Sequence, residues 1–361
     1  MDKKDILDLY TDYLISSFSF TTATGLSNLL DNVVSHDQIT RFLSNGEYTS
    51  KDLWKKVKPI VRQVESLEGV VIIDDTIEEK PYTDENDIIA WHYDHSKSRN
   101  VKGINILTAM YYLDGVSLPV AIDIVKKTET VMDKKTGKPC RKSPISKNEK
   151  YREMLQTCVD NNILFGYVLN DIWYSSAENM RFIKLDLKKE FVMPLKTNRK
   201  VATSIEDKEN GRYTAVESLE LEEGIVWKVY LEQVSFPLYL AKQVFINDDG
   251  STGTLYLITS DETLAYDKIT TIYRKRWKVE EYHKSIKNNA SLAKSPTKTV
   301  KTQTNHLFAS VFAYLKLELL KIQTNTNHFS LKAKLYIKAL KASFQELQAI
   351  HYSTKGVSIL C

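Results

Sequence analysis

Val70-Val71-Ile72-Ile73 is a run of four β-branched residues that follows Gly69 and ends in Asp74-Asp75-Thr76. Such residues are stiff at χ1 and fit extended backbone. With no polar residue alternating between them, they read as a strand buried on both faces, as in a sheet covered by helices. A chain with such a strand must build a layered core around it. The two acids stand where that strand leaves the core.

The order of segments around this strand narrows the fold. Gly103 to Leu113 and Val116 to Val125 read as strands joined at Asp114-Gly115, a strong hairpin signal. Lys126 to Lys150 is a basic, polar connection. Lys147 to Asn161 reads as a helix, Ile163 to Leu169 as a strand ending in Asn170-Asp171, and Ser175 to Leu185 as a helix capped by Ser175. Three strands, a helix, a fourth strand and a helix is the order of an RNase H-like fold, whose carboxylates sit on the first and fourth strands. The fold class expected is therefore α/β. Residues 68–195 would form the first part of an RNase H-like catalytic core and 254–302 its second part. Residues 196–253 contain Val226-Trp227-Lys228-Val229-Tyr230-Leu231 and Phe236-Pro237-Leu238-Tyr239-Leu240-Ala241, with turns at Asn210-Gly211 and Asp249-Gly250, and read as a β-rich insertion. Residues 1–67 and 303–361 read as flanking helical regions.

Tyr273 to Lys287, Y-R-K-R-W-K-V-E-E-Y-H-K-S-I-K, has good helix formers and neither Gly nor Pro. On one continuous helix Tyr273, Arg276, Glu280, Lys284 and Lys287 share a stripe, beside an apolar stripe of Ile272, Val279 and Ile286. One acid among cations suits a divalent metal beside a phosphate. An ordinary helix with ion pairs from Arg276 to Glu280 to Lys284 would carry the same residues.

The spacing Tyr273-x2-Arg276-x3-Glu280-x6-Lys287 resembles the Y-R-E-K signature of bacterial DDE transposases of the insertion-sequence-four family, and Trp277, Glu281, His283 and Lys284 resemble its local pattern. The resemblance implies a triad of Asp75, Asp171 and Glu280 that is both catalytic and metal-ligating. It would hold two Mg²⁺ ions, with Mn²⁺ as a substitute. Asp74 and Asp75 are adjacent and point to opposite faces of a strand. The family's motif places the ligand immediately before Thr, which selects Asp75, with Asp74 as the alternative. By the same resemblance Tyr273, Arg276 and Lys287 bind phosphates of double-stranded DNA at a transposon end, in a synaptic complex built on a homodimer. Trp277 and Lys284 are further DNA-contact candidates. Trp227 is a candidate platform for a flipped base, although Trp in such a strand also serves as core. The reaction implied is cleavage at the ends of a mobile element followed by strand transfer into target DNA. The alternatives are a nuclease on the same fold without strand transfer, or a transposase-derived DNA-binding regulator.

Elsewhere the sequence adds contacts and boundaries. Asp5 to Phe18, Thr22 to Leu30, Ser35 to Leu43 and Lys51 to Val64 read as helices. The second and third, around Asp31-Asn32-Val33-Val34, fit either a helix-turn-helix with Arg41 available to DNA or a plain helical hairpin. Trp91, His92, Asp94 and His95 with Lys97, Arg99 and Lys102 suit contact with a DNA backbone. His306 to Ile322 and Ser330 to Leu347 read as closing helices. The net charge of +4 is too small for bulk attraction to nucleic acid, so basic residues must cluster. Three cysteines, Cys140, Cys158 and Cys361, without a C-x-x-C pair argue against a zinc site or a disulfide framework. Without a signal-peptide core or a membrane-length apolar run, the expected place is the bacterial cytoplasm, on the nucleoid.

Overall fold

The structure, a computed structural model, describes residues 3–354 apart from 96, 133–136 and 248, so Cys361 lies outside the described residues. In chain order, helices α1 (Lys3–Ser16), α2 (Ala23–Leu29), α3 (His36–Asn45) and α4 (Ser50–Val64) come first. Strands β1 (Val70–Glu79), β2 (Ile89–Asp94), β3 (Arg99–Leu113), β4 (Val116–Ile124), β5 (Glu129–Met132) and β6 (Pro139–Lys142) follow. Next are α5 (Lys147–Asp160), β7 (Tyr167–Asn170), α6 (Ala177–Arg181), β8 (Glu190–Leu195), β9 (Lys200–Val201), α7 (Ile205–Glu209) and β10 (Thr214–Ala215). The chain continues with β11 (Val226–Val229), β12 (Leu238–Ile246) and β13 (Thr252–Thr259). Helices α8 (Tyr266–Arg274), α9 (Trp277–Asn288), α10 (Val300–Thr324) and α11 (His328–Thr354) complete it. The chain forms two compact units: Tyr48–His283, and the residues up to Glu47 together with those from Lys284 onward.

The first unit is built on a nine-stranded mixed sheet ordered β11-β12-β13-β8-β7-β1-β3-β2, with β4 also paired to β3. Val70 to Ile73 are fully buried, as four β-branched residues on a doubly covered strand require. β1 runs antiparallel to β3 and parallel to β7, and β7 runs parallel to β8. The turn from β3 to β4 puts Asp114 and Gly115 at φ 44° and 84°, the left-handed pair that a two-residue hairpin needs. β11 and β12, from the segment read as an insertion, extend this sheet through β13. α4 packs on β4, and the Ile122 amide donates to Ser50 Oγ at 3.0 Å.

Three sequence expectations are revised here. The helix read over Ser175 to Leu185 begins after Ser176, which caps α6, and passes into a π-type turn over Phe182–Asp186. The strand read from Ile163 starts only at Tyr167. The helix read as continuous from Tyr273 to Lys287 is interrupted at Lys275–Arg276. There, amides 275, 276, 278 and 279 bond the carbonyls three residues back, at 2.9–3.1 Å. This is 3₁₀ winding, which needs no Gly or Pro.

The second unit is helical. α10 is buried along most of its length and packs with α1, α3 and α11. Asn305 donates to the carbonyls of Leu43 and Gly46 at 2.7 and 2.8 Å, holding the end of α3, and Tyr10 shares a hydrogen bond with His306. Ser35 and Gln38 close α3 with a reciprocal capping box.

Candidate active site

β7 ends beside the middle of β1, its parallel neighbour, with their register closing at Ile73 opposite Asn170, whereas β1 runs on past the two acids to Glu79. Asp74 and Asp171 each follow directly. Asp171 starts a short 3₁₀ turn, Ile172–Tyr174, and its Oδ1 accepts the Trp173 amide at 2.7 Å, leaving its other oxygen for further contacts. α9 brings Glu280 to the same place. Tyr282 of α9 lies against Thr108, the β3 residue paired with Asp74, so this helix covers the Asp74 face of β1.

Arg276 bridges the acids, with Nη1 3.5 Å from Asp74 Oδ2 and 3.3 Å from Glu280 Oε1. His283 Nδ1 lies 3.9 Å from Glu280 Oε2. Asp74, Glu280 and His283 each present a ligand atom within 4.8 Å of the others, close enough to hold one metal ion. Burial raises the Asp74 carboxyl well above the usual range. The neighbouring Glu280, Asp75 and Asp171 charges push the same way, and Arg276 only partly offsets them. Glu280 is pulled down to about 2, first by the nearby His283 and then by Arg276, against its burial. Tyr273, at the end of α8, is held protonated by burial and by Asp171 and Asp74, its ring 6.0 Å from the Arg276 guanidinium carbon.

Asp75 points the other way. Its Oδ2 accepts from Lys147 Nζ and from Asn105 Nδ2, both at 2.7 Å, and its Oδ1 from Tyr174 Oη at 2.6 Å. Burial opposes its ionisation, yet the Lys147 charge and these three donors together hold the carboxyl below the usual range.

Of the residues singled out from sequence, Tyr273, Arg276, Glu280, Asp74 and Asp171 converge. Trp277 is 60% exposed at the head of α9, accessible to a partner. Trp227 sits on the edge strand β11, five strand spacings, or roughly 24 Å, from β1. Lys284, Lys287 and Arg41 belong to the helical unit, where Lys284 lies over the Phe329 ring and Arg41 Nε donates to the Asp37 carbonyl. Tyr93, His95 and Trp173 form a chain of exposed ring contacts, with centroids 4.8 and 5.4 Å apart. His92 is instead buried and held neutral. His283 was not among the sequence candidates for the metal. Its position three residues after Glu280, on one helix face, was the available signal.

A family of transposase DDE domains matches residues 65–316, well over half of the sequence, and the chain belongs to that family. No curated protein matches. Among solved structures, the chain is similar to the Drosophila P element transposase strand transfer complex, at 11% identity and a TM-score of 0.27. The match covers 51% of this chain and 36% of that one, a likeness too distant to carry an argument.

Proposed function

We propose that the protein is a DDE transposase that cleaves DNA at the ends of a mobile element and joins the freed 3′ ends to target DNA. What supports this reading is that Asp74 and Glu280 come within reach of one metal ion, with Asp171 directly after the parallel strand β7 and its charge felt at Asp74, in a chain of that family. The strand order β4-β3-β1-β7-β8, with its antiparallel hairpin side and parallel side, supports reading the sheet as an RNase H-like core.

The donor set fits a hard divalent cation. Carboxylate oxygens predominate, and Asp74 and Glu280 are crowded with Arg276 between them. Asp74, Asp171 and Glu280 would hold Mg²⁺, or Mn²⁺ in its place. When bound, such a pair of ions makes water or a 3′-OH a better nucleophile and steadies the leaving oxygen. The chain's own groups do the rest. His283 orients the Glu280 carboxylate, Arg276 offers its guanidinium to the phosphate oxygens, and Tyr273 remains a neutral donor beside them. Double-stranded DNA is the partner, engaged by a homodimer at paired ends.

The test is a duplex carrying one inverted-repeat end, incubated with Mg²⁺ or Mn²⁺ and either the parent or Glu280→Ala. Cleavage by the parent alone, followed by joining to a target plasmid, is expected. Binding without cleavage by either protein would replace this reading with a DNA-binding regulator, and cleavage without joining would make the protein a nuclease.

A further inference from the structure

We infer that Asp75 is a positioning residue for the acid site and not one of its metal ligands, an inference that rests on the transposase reading above. Adjacent residues of a strand face opposite sides. Asp74 faces Glu280 and His283 of α9, whereas Asp75 meets Lys147 at the head of α5 and Asn105 of β3.

The third donor to Asp75 is the informative one. Asp171 stands on no regular element: β7 has ended, and only a single 3₁₀ turn follows. That turn is closed by the Tyr174 amide on the Asp171 carbonyl at 3.1 Å, so the placement of Tyr174 sets that of Asp171. Tyr174 is fully buried and fixed on three sides. Its hydroxyl donates to Asp75, its ring stacks on Tyr151 at 5.1 Å and 12°, and its carbonyl accepts from Asn179 Nδ2 at 2.8 Å. Tyr151 in turn donates to Asn170 Oδ1 at 2.8 Å, and Asn170 Nδ2 donates to the Asp171 carbonyl at 2.7 Å. Asp75 thus ties β1, β3 and α5 to the one acid-bearing loop that secondary structure leaves unsupported. With Lys147 as its counter-ion, three donors take up three of the roughly four acceptor positions on its two oxygens. The rival arrangement has Lys147 standing where a metal would sit and moving aside when one binds.

The two arrangements separate without reference to activity. In metal-free protein, Asp75→Asn should lower Tm by about 5 °C, because it leaves the Lys147 charge without its partner. Asp74→Asn should leave Tm unchanged or raise it, because it relieves like-charge crowding. Mn²⁺ binding, followed by calorimetry, should survive Asp75→Asn and be lost in Asp74→Asn. Cleavage by Asp75→Asn should fall roughly 10- to 100-fold, in the range of residues that orient ligands. It should partly recover in Asp75→Asn/Lys147→Met, where both charges are gone. Tyr174→Phe removes one hydrogen bond from the network and should slow cleavage with Mn²⁺ binding intact, which keeps the test open if Asp75→Asn does not fold. Loss of Mn²⁺ binding in Asp75→Asn with Tm unaltered would overturn the inference, as would rescue of Asp75→Cys by Mn²⁺ but not Mg²⁺. If the parent cuts no DNA, the transposase reading fails by itself, while the Tm and Mn²⁺ measurements still decide the role of Asp75.

Discussion

The two faces of β1 carry the same side chain one residue apart and treat it in opposite ways. On one face Asp74 is buried among Glu280, Asp171 and a single shared guanidinium, and its charge is under-compensated. On the other, Asp75 is nearly as deeply placed but has three hydrogen-bond donors, one of them a lysine. Burial alone therefore does not decide what a carboxylate is for. The unmet negative charge marks the face that awaits a cation, and the met charge marks the face that holds the scaffold still.

The largest effect that would break this comparison is on catalysis. Asp74→Asn and Glu280→Ala should each bring DNA cleavage to background in a gel assay, whereas Asp75→Asn should retain a measurable rate. Equal loss in all three variants would erase the distinction. Next comes Arg276→Gln, which removes the cation that bridges Asp74 and Glu280. Without metal it should lower Tm by about 2–4 °C, the shift that roughly 1 kcal/mol makes in a unit of this size, and added Mn²⁺ should restore more Tm than it does in the parent.

The pH dependence sharpens the contrast through its signs. A carboxyl held below its ordinary value, as in Asp75, contributes stability that is present above the unfolded pKa of about 3.8 and lost as pH falls through the folded one. A carboxyl held above it, as in Asp74, carries a penalty at neutral pH that fades as pH falls through its raised pKa. The Tm advantage of Asp74→Asn over the metal-free parent should therefore shrink on acidification, while the Tm deficit of Asp75→Asn should persist to about pH 4. His92, near Lys127, Lys147 and Asp75, adds a smaller slope. Burial and those lysines lower its pKa to about 3, so the unfolded chain binds a proton that the folded one refuses, and stability declines as pH drops from about 6.5. His92→Gln should flatten the Tm profile between pH 6.5 and 5, by at most about 1.4 kcal/mol per pH unit. The smallest effect is expected far from β1. Lys301 and Glu47, paired at 3.2 Å with both side chains at least half exposed, should tolerate Lys301→Ala within about 0.5 kcal/mol in urea unfolding.

Much of the frame was legible from sequence because its signals are local. Four β-branched residues announce β1, Asp-Gly announces the turn into β4, and Ser35 announces α3. What was not legible depends on partners distant in the chain. β2 alternates over Ile89–Asp94, but its few residues sit in a polar stretch and only pairing with β3 makes them a strand. The choice between Asp74 and Asp75 is of the same kind. The family's motif selects Asp75, with Asp74 as the alternative, and the face each one takes depends on α9 and α5, which lie far along the sequence. Glu280 was singled out because its neighbours in the signature are close in sequence. The network around Asp171 could not, since it joins residues from four separate elements.

The 3₁₀ step between α8 and α9 gives the signature spacing a different meaning. Four residues wound at 120° instead of 100° advance the chain by roughly 80° beyond an ideal helix. On a straight helix Tyr273 and Glu280 would share one stripe, and this overwound turn shifts them out of that common phase. The spacing between them acts as a timing mark. Any change that let residues 275–278 relax into a regular α-turn would keep every signature residue in the chain and still change the angle between the tyrosine and the acid.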